Sequence, residues 1–310
     1  MCKQREEWIA RRCEALYRRY NRAEYIDPDP LALVRRYPEL REREIVALFA
    51  SCLALGRVDL ILRAIEELLA RLPKPVTTLT SLSEAELRER ASGFVYRFFR
   101  QEHLGNLLIA LRRVLLDWGT LEAAAQTNPP AQTNPAAQTN PAAQANPAAQ
   151  ANPAAQAPRA ELSDGQDASA GEAAIERLVD RLISAAPGPT SILLSRPGKG
   201  SASKRLHLFL RWMVRADDVD PGGWTFLAPR DLLVPVDTHM LQIARALGLT
   251  DRKQADLRTS REITRFFRRI RPDDPARYDF VLTRFGIRPG FLDEVVAEFG
   301  ENPYTPNTRF

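Results

Sequence analysis

From Ala125 to Pro158 the chain repeats a hexad, Ala-Gln-Thr/Ala-Asn-Pro-Ala, with Gln126, Gln132, Gln138, Gln144, Gln150 and Gln156 in register. A proline in each repeat blocks a continuous helix. No repeat carries a large apolar side chain, so the stretch cannot offset the entropy of its own ordering. Six residues is also not the period of a known solenoid unit. Whatever core the chain builds must therefore come from the two flanking segments. Residues 123–171 read as a flexible or polyproline-like insertion between two helices of one lobe. Both a neutral expansion in a surface loop and a partner-binding tether fit it.

The flanking segments show helical periodicity and no convincing strand alternation, so the fold class expected is all-α. Arg5 to about Asn21 is a charged amphipathic helix with Trp8, Ala15 and Leu16 among its apolar positions, and Asp27-Pro28-Asp29-Pro30 separates it from a short helix ending near Arg36. Leu40 to Leu72 carries Ile45, Leu48, Phe49, Cys52 and Leu53 at helical spacing, broken in two at Leu55-Gly56-Arg57. Ser83-Glu84-Ala85-Glu86 is a capping box. The aromatics of Gly93-Phe94-Val95-Tyr96-Arg97-Phe98-Phe99-Arg100 are assigned to the core, with Arg97 and Arg100 on the rim. Further helices are expected at 103–118, 172–185, 204–215, 241–249, 260–270, 275–285 and 292–299. The organisation expected is two helical lobes: residues 1–36 packing with a C-terminal lobe, 230–310, and a central lobe built from 37–122 and 172–229.

The composition narrows the function classes. There are 44 basic and 39 acidic residues, net +5, and the pI is about 9.3, which permits a polyanionic partner without demanding one. Cys2, Cys13 and Cys52 form neither a disulfide framework nor a close metal-ligand cluster and read as reduced thiols, with Cys52 inside an apolar helix. The charged N-terminus lacks the apolar core of a signal peptide, and no apolar run is long enough to span a bilayer. A cytoplasmic protein without membrane contact, metal or cofactor is expected.

Two stretches carry the chemistry. Val234-Pro235-Val236-Asp237-Thr238-His239-Met240 leads into a helical pattern, and Asp237 stands where a carboxylate accepts free N–H groups at a helix start. Taken alone, that is an N-cap. Upstream, Pro197-Gly198-Lys199-Gly200-Ser201-Ala202-Ser203-Lys204-Arg205 is a glycine-containing turn that opens a helix with Lys204 in its first turn. Glycines there let backbone N–H groups approach a phosphate.

Together the two stretches resemble the helix-hairpin-helix DNA glycosylase superfamily, in which a glycine-rich hairpin precedes a catalytic lysine and a later Val-Asp-Thr-His or Val-Asp-Val-His segment carries the catalytic aspartate. Val236-Asp237-Thr238-His239 matches that segment, and the spacing from Lys204 to Asp237 is closer to the archaeal 8-oxoguanine glycosylases than to endonuclease III. Lys204-Arg205-Leu206-His207-Leu208-Phe209-Leu210-Arg211-Trp212-Met213-Val214-Arg215 is also similar to a bacterial family of hypothetical proteins of this superfamily. The chain has no cysteine after Cys52, so the four-cysteine iron–sulfur loop of many endonuclease III relatives is not expected. Lys204 falls later after Gly200 than in the commonest family pattern.

What the resemblance implies is a monomeric two-lobed enzyme acting on double-stranded DNA with a damaged base or abasic site. Lys204 would be the Schiff-base nucleophile and Asp237 the electrostatic partner and proton acceptor. Gly198, Lys199, Gly200, Ser201, Arg205, Arg211 and His239 would contact DNA, with His239 also supporting the Asp237 loop. In the family the place after a Leu-Leu-Ser-like segment often supplies a Gln that fills the hole left by a flipped base. Here the segment Phe49-Ala50-Ser51-Cys52-Leu53-Ala54-Leu55-Gly56-Arg57 has no Gln, and Arg57 is either that filler or an ordinary exposed arginine. On a helical wheel Lys204, Leu208, Arg211 and Arg215 share a stripe, which fits either a DNA-facing or a solvated face. His207 reads either as a contact to a base or, preferred, as a satisfied surface histidine. Trp212, Trp224, Phe226 and Phe285 are the candidates for a base pocket, each also readable as core. The alternatives are a non-catalytic helix-hairpin-helix protein that recognises damaged or branched DNA, and an RNA-binding enzyme of another class.

Overall fold

The computed structural model describes residues 3–126, 169–190, 193–194, 202–283 and 299. The protein is all-α, with thirteen α-helices and one two-residue hairpin among those residues. The hexad repeat, the Gly198–Ser201 turn and nearly all of the expected last helix lie outside them.

The first half runs α1 (Lys3–Tyr20), α2 (Leu31–Val34), α3 (Leu40–Leu53), α4 (Val58–Arg71), α5 (Pro75–Ser81), α6 (Glu84–Ala91), the hairpin β1 (Val95–Tyr96) and β2 (Phe99–Arg100), α7 (Gln101–Trp118) and α8 (Leu121–Ala125). The second half runs α9 (Ala170–Ala185), α10 (Lys204–Val214), α11 (Thr238–Ala246), α12 (Leu257–Ile270) and α13 (Asp279–Thr283). Several helices start where the sequence supplies an acceptor. Ser83 and Ser169 form capping boxes with Glu86 and Glu172, and Thr120, Asp237 and Asp256 accept from the N3 amide of α8, α11 and α12.

Helix α3 is the centre. From Glu44 to Leu53 every residue is buried, which is what a helix apolar on all sides requires. It packs on α2, α4, α5, α8 and α10. Its one buried charge, Glu44, accepts from the amides of Leu121 (3.0 Å) and Glu122 (2.9 Å) at the start of α8 and from Trp224 Nε1 (2.6 Å). Burial pushes this carboxyl up to about 7 against those three donors. Around α3, helix α7 packs on α5, α6, α8 and α9, and α10 bridges α3 to α9.

A second packing group lies at the other side of α10. Helix α1 rests on α12 and α13, and α11 rests on α13. Trp8 meets Phe299 at 5.7 Å, Tyr17 meets Tyr278 at 6.2 Å, and Arg5 donates to the Leu247 carbonyl at 2.9 Å. Helix α2 packs on α3 instead, so the N-terminal stretch divides between the two groups. One continuous hydrophobic core runs through both. No helix among the described residues is long and apolar enough to cross a membrane.

Candidate functional site

Asp237 caps α11 and does something more. Its Oδ1 accepts from the Met240 amide at 2.9 Å, the ordinary N-cap bond. Its Oδ2 faces Lys204 Nζ at 3.5 Å. One oxygen thus satisfies the helix and the other faces the lysine. The approach to Asp237 is held rigidly by α12: Thr264 Oγ1 accepts from the Val234 amide (2.9 Å) and Ser260 Oγ donates to the Val234 carbonyl (2.7 Å). Val236 is buried, so the chain enters the cap from a fixed direction.

Lys204 is the first residue of α10, and the residue before it, Ser203, sits in the left-handed region at φ 44°. That conformation costs about 1–3 kcal/mol for a non-glycine residue and persists only where the surroundings impose it. The Lys204 and Asp237 side chains are 28% and 30% exposed, so a substrate can reach both. Arg205 turns away from them: it donates to the Cys52 carbonyl at the end of α3 (2.5 Å) and lies over the Phe99 ring at 5.9 Å. Cys52 itself is buried, and burial pushes its thiol up to about 11, which removes it as a nucleophile. Among the described residues no group of His, Cys, Asp and Glu could hold a metal ion.

Beyond Lys204 the stripe is buried rather than solvated. Two turns along α10, Arg211 is 3% exposed. It bonds Asp220 through Nε (3.2 Å) and Nη2 (3.1 Å) and contacts Asp279 at the start of α13. One turn further, Arg215 is also buried and contacts Asp220, Asp274 (3.0 Å) and Asp217 (2.8 Å). Asp217 in turn accepts from Tyr17 of α1 at 2.9 Å. The expectation that Arg211 contacts DNA is therefore corrected: its guanidinium is consumed in a buried ionic seam that ties α10 to α13 and to the 217–220 loop. Burial works against both guanidinium charges, but Asp220 with Asp279, and Asp220 with Asp274 and Asp217, outweigh it and hold Arg211 and Arg215 more firmly protonated than usual.

Asp279 is the group that sequence reading missed. It is 4% exposed, it opens α13, and it lies within the electrostatic reach of both Asp237 and Lys204. Burial raises its carboxyl to about 6; Arg211 opposes that rise, Asp237 adds to it and Lys204 opposes it. The first residue of α10 and the cap of α11 thus bring Lys204 and Asp237 together, with Asp279 held against Arg211 further along α10. An amine beside an accessible carboxylate can serve as a nucleophile with a proton acceptor at hand.

His207 is corrected as well. It is 3% exposed, not a surface residue, and burial depresses its imidazole to about 4, with Glu172 opposing and Arg261 assisting. A base whose folded pKa lies below its unfolded value contributes stability that is complete above pH 6.5 and is lost as pH falls towards 4. The expected loss is about 2–3 kcal/mol over that window. Urea melts at pH 7 and pH 4.5 of wild type and His207→Gln check it: the pH dependence should shrink in the variant, and equal dependence would contradict the assignment. His239 is exposed in the first turn of α11. Gly198, Lys199, Gly200 and Ser201 lie outside the described residues.

Of the pocket candidates, Trp212 and Trp224 are core and Phe226 packs partly buried against it; Phe285 lies outside the described residues. Arg57 is exposed and paired with Asp59 at 2.9 Å. Among the described residues the exposed aromatic is instead Phe98. It occupies the turn of the β1–β2 hairpin and is 60% exposed, with Val95 exposed beside it. The expectation of a wholly core aromatic run is met by Phe94, Tyr96 and Phe99 and fails at Phe98, because Arg97 at φ 53° turns the chain. Tyr96 donates to the Leu55 carbonyl (2.9 Å) and Phe99 underlies Arg205. The hairpin is thereby fastened to the α3–α4 loop and, through Arg205, to the start of α10.

Residues 29–288 match the model of a family described as a protein of unknown function, DUF2400. The chain belongs to that family. The match takes in Lys204, Asp220, Asp237, Asp279 and the hairpin, and leaves α1 outside. No curated protein and no solved structure matches the chain. The family's description carries no activity, so function rests on the site.

Proposed function

We propose that this protein is a DNA base-excision glycosylase with AP-lyase activity, acting on an oxidised purine of the 8-oxoguanine type through a Schiff base on Lys204. The observation that carries the reading is the 3.5 Å approach of Lys204 Nζ to Asp237 Oδ2, two residues on separate helix starts, both open to substrate. An N-glycosidic bond breaks through an oxocarbenium-like sugar, which a fixed carboxylate stabilises. Lys204, as the neutral amine, forms the new bond to the anomeric carbon while the base leaves with the bonding pair. Asp237 takes the proton released by the nitrogen. Ring opening then gives the imine, and elimination of the 3′ phosphate cuts the strand.

A base reached this way must leave the duplex. Phe98, Arg97 and Arg100 are exposed on the hairpin, whose Phe99 lies under Arg205 of α10. They are an aromatic with two cations, suited to a disrupted base stack and its phosphates. Base–aromatic stacking is worth about 1–3 kcal/mol, so Phe98→Ser is expected to weaken binding to a duplex carrying an abasic site by about tenfold. Fluorescence anisotropy at fixed salt reads this, and unchanged affinity would remove the hairpin from the interface. The reading as a whole is tested by incubating duplexes carrying 8-oxoguanine, other oxidised purines or an abasic site with wild type and with Lys204→Gln. Base release and strand cleavage that Lys204→Gln lacks would support it. Tight duplex binding with no product from wild type would favour a non-catalytic damage-recognition protein.

A further inference from the structure

We propose that the groove between α1 and the end of α12 is a separate binding site, one that takes the phosphate backbone of a single nucleic-acid strand without reading its sequence. None of its lining residues belongs to α10, α11 or the hairpin, so it stands whether or not Lys204 excises bases.

Helix α1 buries one face, carrying Trp8, Ile9, Cys13 and Leu16. On an outer side Arg11, Ala15, Arg18 and Arg22 follow at i, i+4, i+7 and i+11, the spacing that lines up side chains along one side of a helix. Arg11 to Arg18 covers about 10 Å, and Arg22 comes just past the helix end. Arg271, at the C-terminal end of α12, closes the other side of a groove of about 780 Å³. Five arginines line it, Arg19 among them, against one carboxylate, Glu14. Both oxygens of Glu14 are already engaged. Arg271 and the Tyr278 hydroxyl donate to one at 3.0 Å each, and Arg18 stands 3.4 Å from the other. Among the described residues Arg11 and Arg22 pair with no carboxylate.

The positive charge gathered here thus exceeds what the protein itself neutralises, and guanidinium forks fit phosphate oxygens. Between the arginines the surface is small and apolar, formed by Ala10, Ala15 and Ile270, none of them fully buried. A groove with cationic edges and an apolar floor suits a strand, with phosphates on the arginines and sugars and bases over the floor. A duplex carries its phosphates on the outside of a wide cylinder and has nothing to lay on that floor. A strand carries one charge per about 3.4 Å, so an arginine row of this length meets about four phosphates.

The test is fluorescence anisotropy of the full chain with a labelled, undamaged, thymine-only DNA strand of about twelve nucleotides. Because the strand carries no lesion, a failed excision assay leaves the result untouched. Wild type is expected to bind at about 50 mM salt, with a steep salt dependence. A variant carrying Arg11→Gln, Arg18→Gln and Arg22→Gln should bind about tenfold or more weakly, and its logarithmic salt slope should flatten by about 2, at about 0.7 per lost phosphate contact. The control removes the same charge elsewhere, with Arg63→Gln, Lys74→Gln and Lys253→Gln at exposed positions outside the groove. It should stay within about twofold of wild type. The three groove arginines are exposed, so their loss should leave the fold intact. Arg11→Glu, a single exposed change, repeats the test should the triple variant melt early, and about threefold weaker binding is expected of it. A uracil-only RNA strand shows which sugar the groove prefers, and groove-dependent binding of either strand supports the proposal. Equal losses in the two triple variants, or no strand binding by wild type, would overturn it. So would groove-dependent binding of acidic phospholipid vesicles or of polyglutamate with strand binding unaffected.

Discussion

Replacing Asp220 by asparagine is expected to lower the unfolding free energy by about 3–5 kcal/mol. Asp220 is fully buried and stands between two buried guanidiniums, Arg211 and Arg215. Taking an arginine out of water is costly, and the carboxylate is what offsets it. Asparagine keeps the volume and one acceptor but removes the charge, leaving Asp279 alone against Arg211, and Asp217 and Asp274 against Arg215. The comparison is Asp274→Asn: Asp274 sits at the more open end of the seam and shares Arg215 with two other carboxylates, so about 1 kcal/mol is expected there. Urea titration at pH 7 checks both. Equal small losses, below about 1 kcal/mol for each, would mean that the seam contributes little to the fold.

The largest functional effect is expected at the pair proposed to react, Lys204 and Asp237. Lys204→Gln should abolish Schiff-base chemistry, because Lys204 is the amine that stands opposite Asp237 among the described residues. Asp237→Asn should slow base release by about 10²–10³-fold, the usual cost of removing one fixed group that stabilises developing charge. Neither should harm folding. The 3.5 Å ion pair is partly exposed and contributes little to stability, and asparagine is as good an N-cap as aspartate, so α11 keeps its bond to the Met240 amide. Asp237→Ala would confound the two roles by losing the cap as well, at about 1 kcal/mol. Gel-based single-turnover cleavage, with thermal melts as the folding control, separates them.

The helices were legible because their rules are local. Ser83 with Glu86 is a capping box four residues long, and the spacing of Ile45, Leu48, Phe49 and Cys52 needs no partner to be read. Asp237 was legible twice, as a cap and as a member of the Val-Asp-Thr-His segment, and it is placed opposite Lys204. What stayed hidden depends on what meets what. A helical wheel puts Lys204, Arg211 and Arg215 on one face but does not say that Asp217, Asp220, Asp274 and Asp279 converge on it, since those come from a loop, a turn and the start of another helix. A basic stripe therefore looked like an outer surface. His207 was misplaced for the same reason. The hairpin escaped because two-residue strands are too short for alternation to register, and only the turn at Arg97 brings Phe98 outward.

The most direct measurement is borohydride trapping of wild-type protein and Lys204→Gln on a duplex carrying an abasic site and on one carrying 8-oxoguanine. Reduction fixes the imine as a stable amine, so a covalent protein–DNA adduct formed by wild type and absent from Lys204→Gln is the expected result, and peptide mapping should place the link on Lys204. Failure of wild type to form an adduct on either duplex, or an adduct that survives in Lys204→Gln, would contradict a Schiff base at this lysine.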